Sequence, residues 1–369
     1  MWCYIQTYLR SKHLTGFIPK RGILFRQGPQ HDIELRNFLD ENLKKGFIRE
    51  SKSPQAASFF FIPKKDGRTR PVQDYHYLNE WTIKNAYPLP RIDDLIDKLV
   101  GKKLFIKMDI RWGYNNVRIH EGDEWKAAFI CKYGLYEPFF GLTNSPATFQ
   151  SMMNDIFDLK IARGELLDYI DDILIPDEGN KERLTKRGLD CLKKLEEHDL
   201  FVKPEKSEFF VEEVGFLGFT IKKGKLAMEE QKVARIADWP PPQTITQVRS
   251  FIGFCNYYRR FIDHYSDLCQ PLNELVRKTT KWEWTPRRHE AFEKLKAAFV
   301  SRPVLIILDY SKPFIIEADA SLFATGAVLL QEDSNGEEHP AGYLSHSLDS
   351  AQRGYQVYDR EFLAILIAL

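Results

Sequence analysis

Two adjacent carboxylates, Asp171 and Asp172, lie inside the apolar run Tyr169-Ile170-Asp171-Asp172-Ile173-Leu174-Ile175. Unpaired carboxylates are costly to bury, so such a pair needs either a cation or a turn at a sheet edge. A Mg²⁺ ion suits them, because it is commonly held by one or two carboxylates plus substrate phosphates. A lone Asp-Asp is more often a solvated turn, and the pair by itself leaves both readings open. A third carboxylate, Asp109, ends the strand-like stretch Leu104-Phe105-Ile106-Lys107-Met108, 62 positions before Asp171. Acids on neighbouring strands make a two-metal phosphoryl-transfer centre possible. Such a centre activates an attacking 3′-hydroxyl and stabilises a departing pyrophosphate. Sequence spacing does not establish that the acids meet.

The elements that must position them are partly legible. Ile33, Leu35, Phe38, Leu39, Leu43 and Phe47 recur at helical spacing over 31–48, and Gly46 closes the stretch. Residues 58–63 predict a strand, Lys64-Lys65-Asp66-Gly67 a hairpin turn, and Arg70-Pro71-Val72 the return. A helix is predicted over 145–157, with Ser145 as N-cap and Pro146 at the first helical position. A charged amphipathic helix is predicted over 181–199, and one short strand over Val214–Ile221. Asp238-Trp239-Pro240-Pro241-Pro242 reads as a linker. Thr244 and Gln247 have capping-box spacing. Val248, Phe251, Ile252, Cys255, Tyr258, Phe261, Ile262 and Tyr265 line one helical face. Strands are predicted at 314–318, 327–330 and 339–345, with Asn335-Gly336 in the loop before the last, and a helix over 351–369.

The chain has 369 residues, 53 Lys+Arg against 52 Asp+Glu, and 43% hydrophobic residues. That mix excludes disordered and collagen-like chains, and the length predicts two or three domains. No apolar run is long enough for a membrane span. Five scattered cysteines without a C-x-x-C pair disfavour zinc and redox motifs and fit a reducing, intracellular setting. The net charge of +1 argues against a nucleic-acid binder only as a total. Between Lys44 and Lys84 stand nine Lys/Arg and four Asp/Glu, a basic stretch able to hold template and triphosphate phosphates.

An ordered set of segments resembles the reverse transcriptase of long-terminal-repeat retrotransposons of the Ty3/gypsy type. It begins with Lys44-Lys45-Gly46-Phe47-Ile48, Lys64-Lys65-Asp66-Gly67, Arg70-Pro71-Val72-Gln73-Asp74-Tyr75 and Leu78-Asn79. Lys107-Met108-Asp109-Ile110-Arg111 with Gly113-Tyr114 follows, then Gly141-Leu142-Thr143-Asn144-Ser145-Pro146-Ala147-Thr148-Phe149-Gln150 and Tyr169-Ile170-Asp171-Asp172. Phe216-Leu217-Gly218 and Asn256-Tyr257-Tyr258-Arg259-Arg260-Phe261 complete it. The resemblance implies an α+β, right-hand polymerase with fingers, palm and thumb, followed by a partial ribonuclease H-like α/β domain. It implies Asp109, Asp171 and Asp172 as catalytic metal ligands for Mg²⁺, with Mn²⁺ as substitute. Lys64, Arg70, Tyr114 and Tyr169 would contact the nucleotide, Tyr114 as the gate against a 2′-hydroxyl. Phe216, Leu217 and Gly218 would grip the primer. Asp319 and Glu361 resemble ribonuclease H metal ligands. Because the sequence stops at Leu369, the expectation is that this second centre is incomplete and inactive.

The implied domains are a truncated arm over 1–30, fingers and palm over 31–237, a helical thumb and connection over 238–302, and ribonuclease H-like residues over 303–369. The implied partners are RNA or DNA primer–template, deoxynucleoside triphosphates, and protease and integrase parts of a polyprotein; no membrane is implied. Three departures from the family pattern stand out. The segment before Phe139 is shortened by about three residues, judged by resemblance. Asp168 takes an apolar position, on the face that strand alternation would share with Ile170 and Asp172. His76 replaces an Arg. Two functions are therefore carried forward: an RNA-directed DNA polymerase, and a decayed, catalytically inactive nucleic-acid-binding relic.

Overall fold

The computed structural model describes residues 16–26, 28–63, 69–111, 113, 117–138, 144–277, 280–301 and 304–369. Its helices are α1 (Pro29–Lys44), α2 (His76–Trp81), α3 (Ile92–Asp97), α4 (Ser145–Ala162) and α5 (Lys181–Glu197). They continue as α6 (Glu230–Ala237), α7 (Ile245–Tyr257), α8 (Tyr265–Leu275), α9 (Pro286–Val300) and α10 (Val357–Ala368). The early strands are β1 (Ile48–Glu50), β2 (Ala57–Pro63), β3 (Thr69–Asp74), β4 (Leu104–Asp109), β5 (Phe129–Cys131) and β6 (Gly134–Pro138). Then come β7 (Leu167–Tyr169), β8 (Asp172–Asp177), β9 (Glu208–Val211), β10 (Glu213–Phe216), β11 (Phe219–Lys222) and β12 (Lys225–Met228). The last are β13 (Leu305–Ile306), β14 (Ile315–Ala320), β15 (Ala324–Glu332) and β16 (Glu338–Ser347).

The chain divides into two compact units. The first takes residues up to Pro90, then Ile106–Ile175 and Glu182–Phe209; the second takes Arg91–Phe105, Pro176–Lys181 and Phe210–Leu369. In the first unit, one sheet has the order β1-β6-β5-β2-β3. Its core is aromatic: Phe59 lies 5.3 Å from Phe129 between ring centres, and Phe129 stacks on Tyr136 at 5.8 Å. The sheet β7-β8-β4-β9 carries the candidate chemistry. Helix α5 buries Leu184, Gly188, Cys191 and Leu195, spaced along one face. Gly188 lets α5 approach β4 closely: a Cβ at this position would meet Ile106 Cδ1 at 2.9 Å, and the isoleucine tip would have to shift.

The second unit holds the antiparallel sheet β10-β11-β12-β13, the helices α6–α9, and the sheet β14-β15-β16 with α10 packed on β14 and β15. Thr244 caps α7 by accepting from the Gln247 N–H, and Gln247 Oε1 accepts from the Gln243 N–H at 2.6 Å. The pair therefore acts reciprocally, with the return bond one residue before the cap.

Several expectations are corrected. Helix α4 starts after Asn144, whose side chain makes no cap hydrogen bond, so Pro146 is the second helical residue, and the helix runs on to Ala162. All eight residues from Val248 to Tyr265 assigned to one helical face are buried, but they are shared among α7, a 3₁₀ turn over Arg259–Phe261, and α8. A left-handed His264, with φ of 48°, separates the last two. The predicted single strand over Val214–Ile221 is a hairpin, β10 and β11, joined through Leu217 and Gly218. In α1 only Leu35 and Leu39 are buried, and Ile33 is 65% exposed. Cys131, Cys191, Cys255 and Cys269 are buried free thiols, and burial pushes Cys191 up to about 12.

Candidate active site

Two strands deliver the three carboxylates to one place. Strands β7 and β8 form a tight hairpin in which Tyr169 faces Asp172 and Asp168 faces Ile173. The turn is Ile170-Asp171, with φ of 59° at Ile170. A positive φ at the first turn residue normally takes Gly, and a β-branched residue there is strained by about 1–3 kcal/mol. Gln150 of α4 offsets this locally: its Oε1 accepts the Ile170 N–H at 2.7 Å. The Ile110 N–H donates to the Asp171 carbonyl at 2.9 Å, which ties the end of β4 to the turn. Gly113 completes the approach. A Cβ on it would lie 3.1 Å from Asp171 Cβ and 3.4 Å from the Phe149 ring, so a larger residue would push the turn away.

Asp109, Asp171 and Asp172 are thus brought together, all partly exposed. Burial raises the Asp172 pKa, Lys107 opposes this, and the charges of Asp171 and Asp109 raise it further. Neighbouring carboxylates favour a cation, although the oxygens of these three do not all lie within 4.8 Å of one another. Asp109 already draws two: its Oδ1 bonds the Lys203 ammonium, and Lys206 Nζ lies 3.4 Å from Oδ2. The donor set therefore fits a divalent metal chemically. Among the described residues, the one group of three metal-binding side chains within 4.8 Å of one another is Asp333, Glu337 and His339. These lie at the β15–β16 turn, where Asp333 accepts the Asn335 and Glu337 N–H groups.

Asp168 corrects a sequence expectation. The two-residue turn reverses the chain after Tyr169, so alternation does not carry across it, and Asp168 shares a face with Ile173 rather than Asp172. It is 1% exposed, and Gln150 Nε2 donates to its Oδ2. The buried carboxyl is hydrogen-bonded, and Gln150 joins it to the turn. His76 is exposed and bonds the Asp74 carboxylate, which holds Asp74 below the usual range.

Other expected site residues are placed less closely. Arg70 is exposed on β3, opposite Ile62. Tyr169 is partly exposed, beside Asp172. Lys64, Tyr114 and Phe139 lie outside the described residues, while the segment before Phe139 forms β6. In the second unit, Leu217 and Gly218 have φ of 51° and 83°, the two-residue pattern of a tight hairpin. The Tyr257 hydroxyl donates to the Leu217 carbonyl at 2.6 Å, and that of Tyr258 to the Gly218 carbonyl at 3.3 Å. Phe219 stacks on Tyr257, with ring centres 5.6 Å apart. Asp319 on β14 and Glu361 on α10 are both exposed.

Sequence reasoning missed Lys203, and it placed Gln150 in a family segment without giving it a contact. Lys203 is 94 positions from Asp109, and Gln150 is 18 from Asp168; nothing local signals either pairing.

Two stretches of the chain match reverse-transcriptase families. Residues 62–221 match the family described as reverse transcriptase (RNA-dependent DNA polymerase), and residues 284–369 match an RNase H-like domain found in reverse transcriptase. Among characterised polyproteins it is similar to the Transposon Tf2-3 and Tf2-4 polyproteins of Schizosaccharomyces pombe. Each is 38% identical over 334 residues, covering 90% of this chain and 25% of the relative. This is the Ty3/gypsy class that the motifs resemble. The chain spans about a quarter of the length of these relatives. Its fold is similar to that of foamy viral protease-reverse transcriptase solved with dsDNA: TM-score 0.82 and 22% identity, over 97% of this chain and 74% of that one. The dRH form with ds DNA gives a TM-score of 0.84 at 22% identity, over 98% of this chain and 63% of that one. The fold class is therefore α+β, a right-hand polymerase followed by a ribonuclease H-like domain. Among the described residues no helix is long and apolar enough to cross a membrane.

Proposed function

We propose that this chain is the RNA-directed DNA polymerase portion of a retrotransposon polyprotein, acting inside the cell. Its substrates would be an RNA or DNA primer–template and deoxynucleoside triphosphates. The observation that carries the reading is the convergence of Asp109 with the Asp171-Asp172 hairpin, locked by the Ile110–Asp171 backbone bond. In the reaction the primer 3′-oxygen attacks the α-phosphorus, the bond to the β-phosphate oxygen breaks, and pyrophosphate leaves. Asp109, Asp171 and Asp172 would hold Mg²⁺, or Mn²⁺ in its place. Bound there, the cation would neutralise triphosphate charge and lower the pKa of the attacking hydroxyl.

The remaining roles follow from side-chain chemistry and family resemblance. Lys64 supplies a point charge and Arg70 a planar fork for the triphosphate. Tyr114 excludes the 2′-hydroxyl, and Tyr169 lies beside Asp172 at the nucleotide. Phe216, Leu217 and Gly218 grip the primer end, on a turn held by Tyr257 and Tyr258. Residues 31–237 form fingers and palm, 238–302 thumb and connection, and 303–369 the ribonuclease H-like part, where Asp319 and Glu361 are metal ligands by family position.

The test is primer extension on an RNA template with Mg²⁺ or Mn²⁺. Extension by the parent chain, abolished by Asp171→Asn, supports the reading. Primer–template binding with no incorporation under either metal would replace it with the non-catalytic relic.

A further inference from the structure

Lys203 occupies the place where the metal reading needs a free carboxylate. Ile110 and Val202 form an antiparallel bridge, and the Lys203 N–H donates to the Asp109 carbonyl at 2.8 Å. Lys203 and Asp109 are therefore a cross-strand pair held by the backbone, and such pairs have their side chains on one face. The ammonium bonds Asp109 Oδ1, and the two side chains are only 21% and 13% exposed. Solvent screens this pair weakly. Lys206 reaches Oδ2 at 3.4 Å but is 62% exposed, so its attraction is largely screened. Among the described residues, neither Asp171 nor Asp172 makes a salt bridge within 4.0 Å.

We propose that Lys203 is a built-in competitor for the divalent cation at Asp109 and sets the metal concentration at which the site fills. The inference rests on the reading of Asp109, Asp171 and Asp172 as metal ligands. To ligate, Asp109 must release an ammonium that the bridged segment at Val202 and Lys203 holds in place. The protein without nucleotide thus binds metal weakly, and neutralising Lys203 strengthens that binding.

The experiment titrates the full chain with Mn²⁺ alone, counting free Mn²⁺ by electron paramagnetic resonance. Lys203→Gln is expected to lower the Mn²⁺ dissociation constant about fivefold, the order for a partly shielded ion pair. Lys203→Arg keeps the parent value, and Lys206→Gln changes it by less than about twofold. Should Lys203→Gln fail to fold, Lys203→Met retains the aliphatic stem and carries the same expectation. Unchanged Mn²⁺ affinity in the charge-neutral variant, with binding still lost in Asp171→Asn, overturns the role of Lys203 and leaves the site reading standing. Unchanged binding in Asp171→Asn overturns the site reading, and the proposal with it.

Discussion

Gln150 is fully buried and makes contacts that no surface glutamine would need. It donates to Asp168 and accepts from Ile170, so one side chain steadies both a buried carboxylate and a left-handed turn residue. Gln150→Leu is expected to cost about 1–3 kcal/mol, because a buried carboxyl oxygen loses its donor and a strained N–H loses its acceptor. Chemical denaturation measures this. Asp74 gives a pH signature. The His76 hydrogen bond depresses its pKa, so its contribution to stability is present above the ordinary carboxylate value and is lost as pH falls through the depressed one. In His76→Ala the Asp74 carboxyl is expected to titrate higher, nearer its ordinary value, by carbon-detected NMR. Asp109, Asp171 and Asp172 stood out as carboxylates among strand formers, but their grouping was legible only through the family resemblance, because spacing alone left a solvated turn open. The contacts of Gln150 and Lys203 were not legible, because polar residues of their kind are ordinary on helices and loops and their partners are distant in sequence.

At the scale of elements, the reversals are what sequence patterning missed. Alternation places Asp168 with Asp172 only if the strand runs straight. The Ile170-Asp171 turn reverses the chain, and the residues on the two strands then pair by register instead. The same blindness merged β10 and β11 into one strand, since Leu217 resembles a strand residue and carries a positive φ only because Tyr257 and Tyr258 hold the turn. Gly218 is the position where this matters. An added Cβ would meet Tyr258 Oη at 2.6 Å, on a backbone with φ of 83°. Gly218→Ala is expected to destabilise the fold by about 1–3 kcal/mol, read by thermal unfolding, and to weaken primer extension more than Gly224→Ala. Gly224 has a similar positive φ, of 77°, but open space around it. The start of helix α7 was read well because its cap is a local signal: Thr244 and Gln247 lie three residues apart, and the Thr244 hydroxyl accepts the Gln247 N–H.

At the scale of the whole chain, a net charge of +1 conceals local contrast. The basic stretch from Lys44 to Lys84 and the acidic centre at Asp109, Asp171 and Asp172 cancel in the total, yet they serve opposite needs: anionic substrate and cation. Primer–template affinity is therefore expected to fall linearly with salt on a double-logarithmic plot, with a slope set by the number of phosphates neutralised. Fluorescence anisotropy checks this. The order of the reverse transcriptase and ribonuclease H-like segments was legible from motifs. The division into compact units was not, because Arg91–Phe105 and Pro176–Lys181 join residues far along the chain. The central claim is that the Asp109–Asp171–Asp172 cluster performs nucleotidyl transfer. Single-nucleotide incorporation into a primer on an RNA template, with Mg²⁺, tests it most directly. The account predicts incorporation by the parent chain and a loss of at least about a thousandfold in Asp171→Asn, the order for removing a principal charge-stabilising group. Equal incorporation by the two proteins, or none by either while primer–template stays bound, would contradict it.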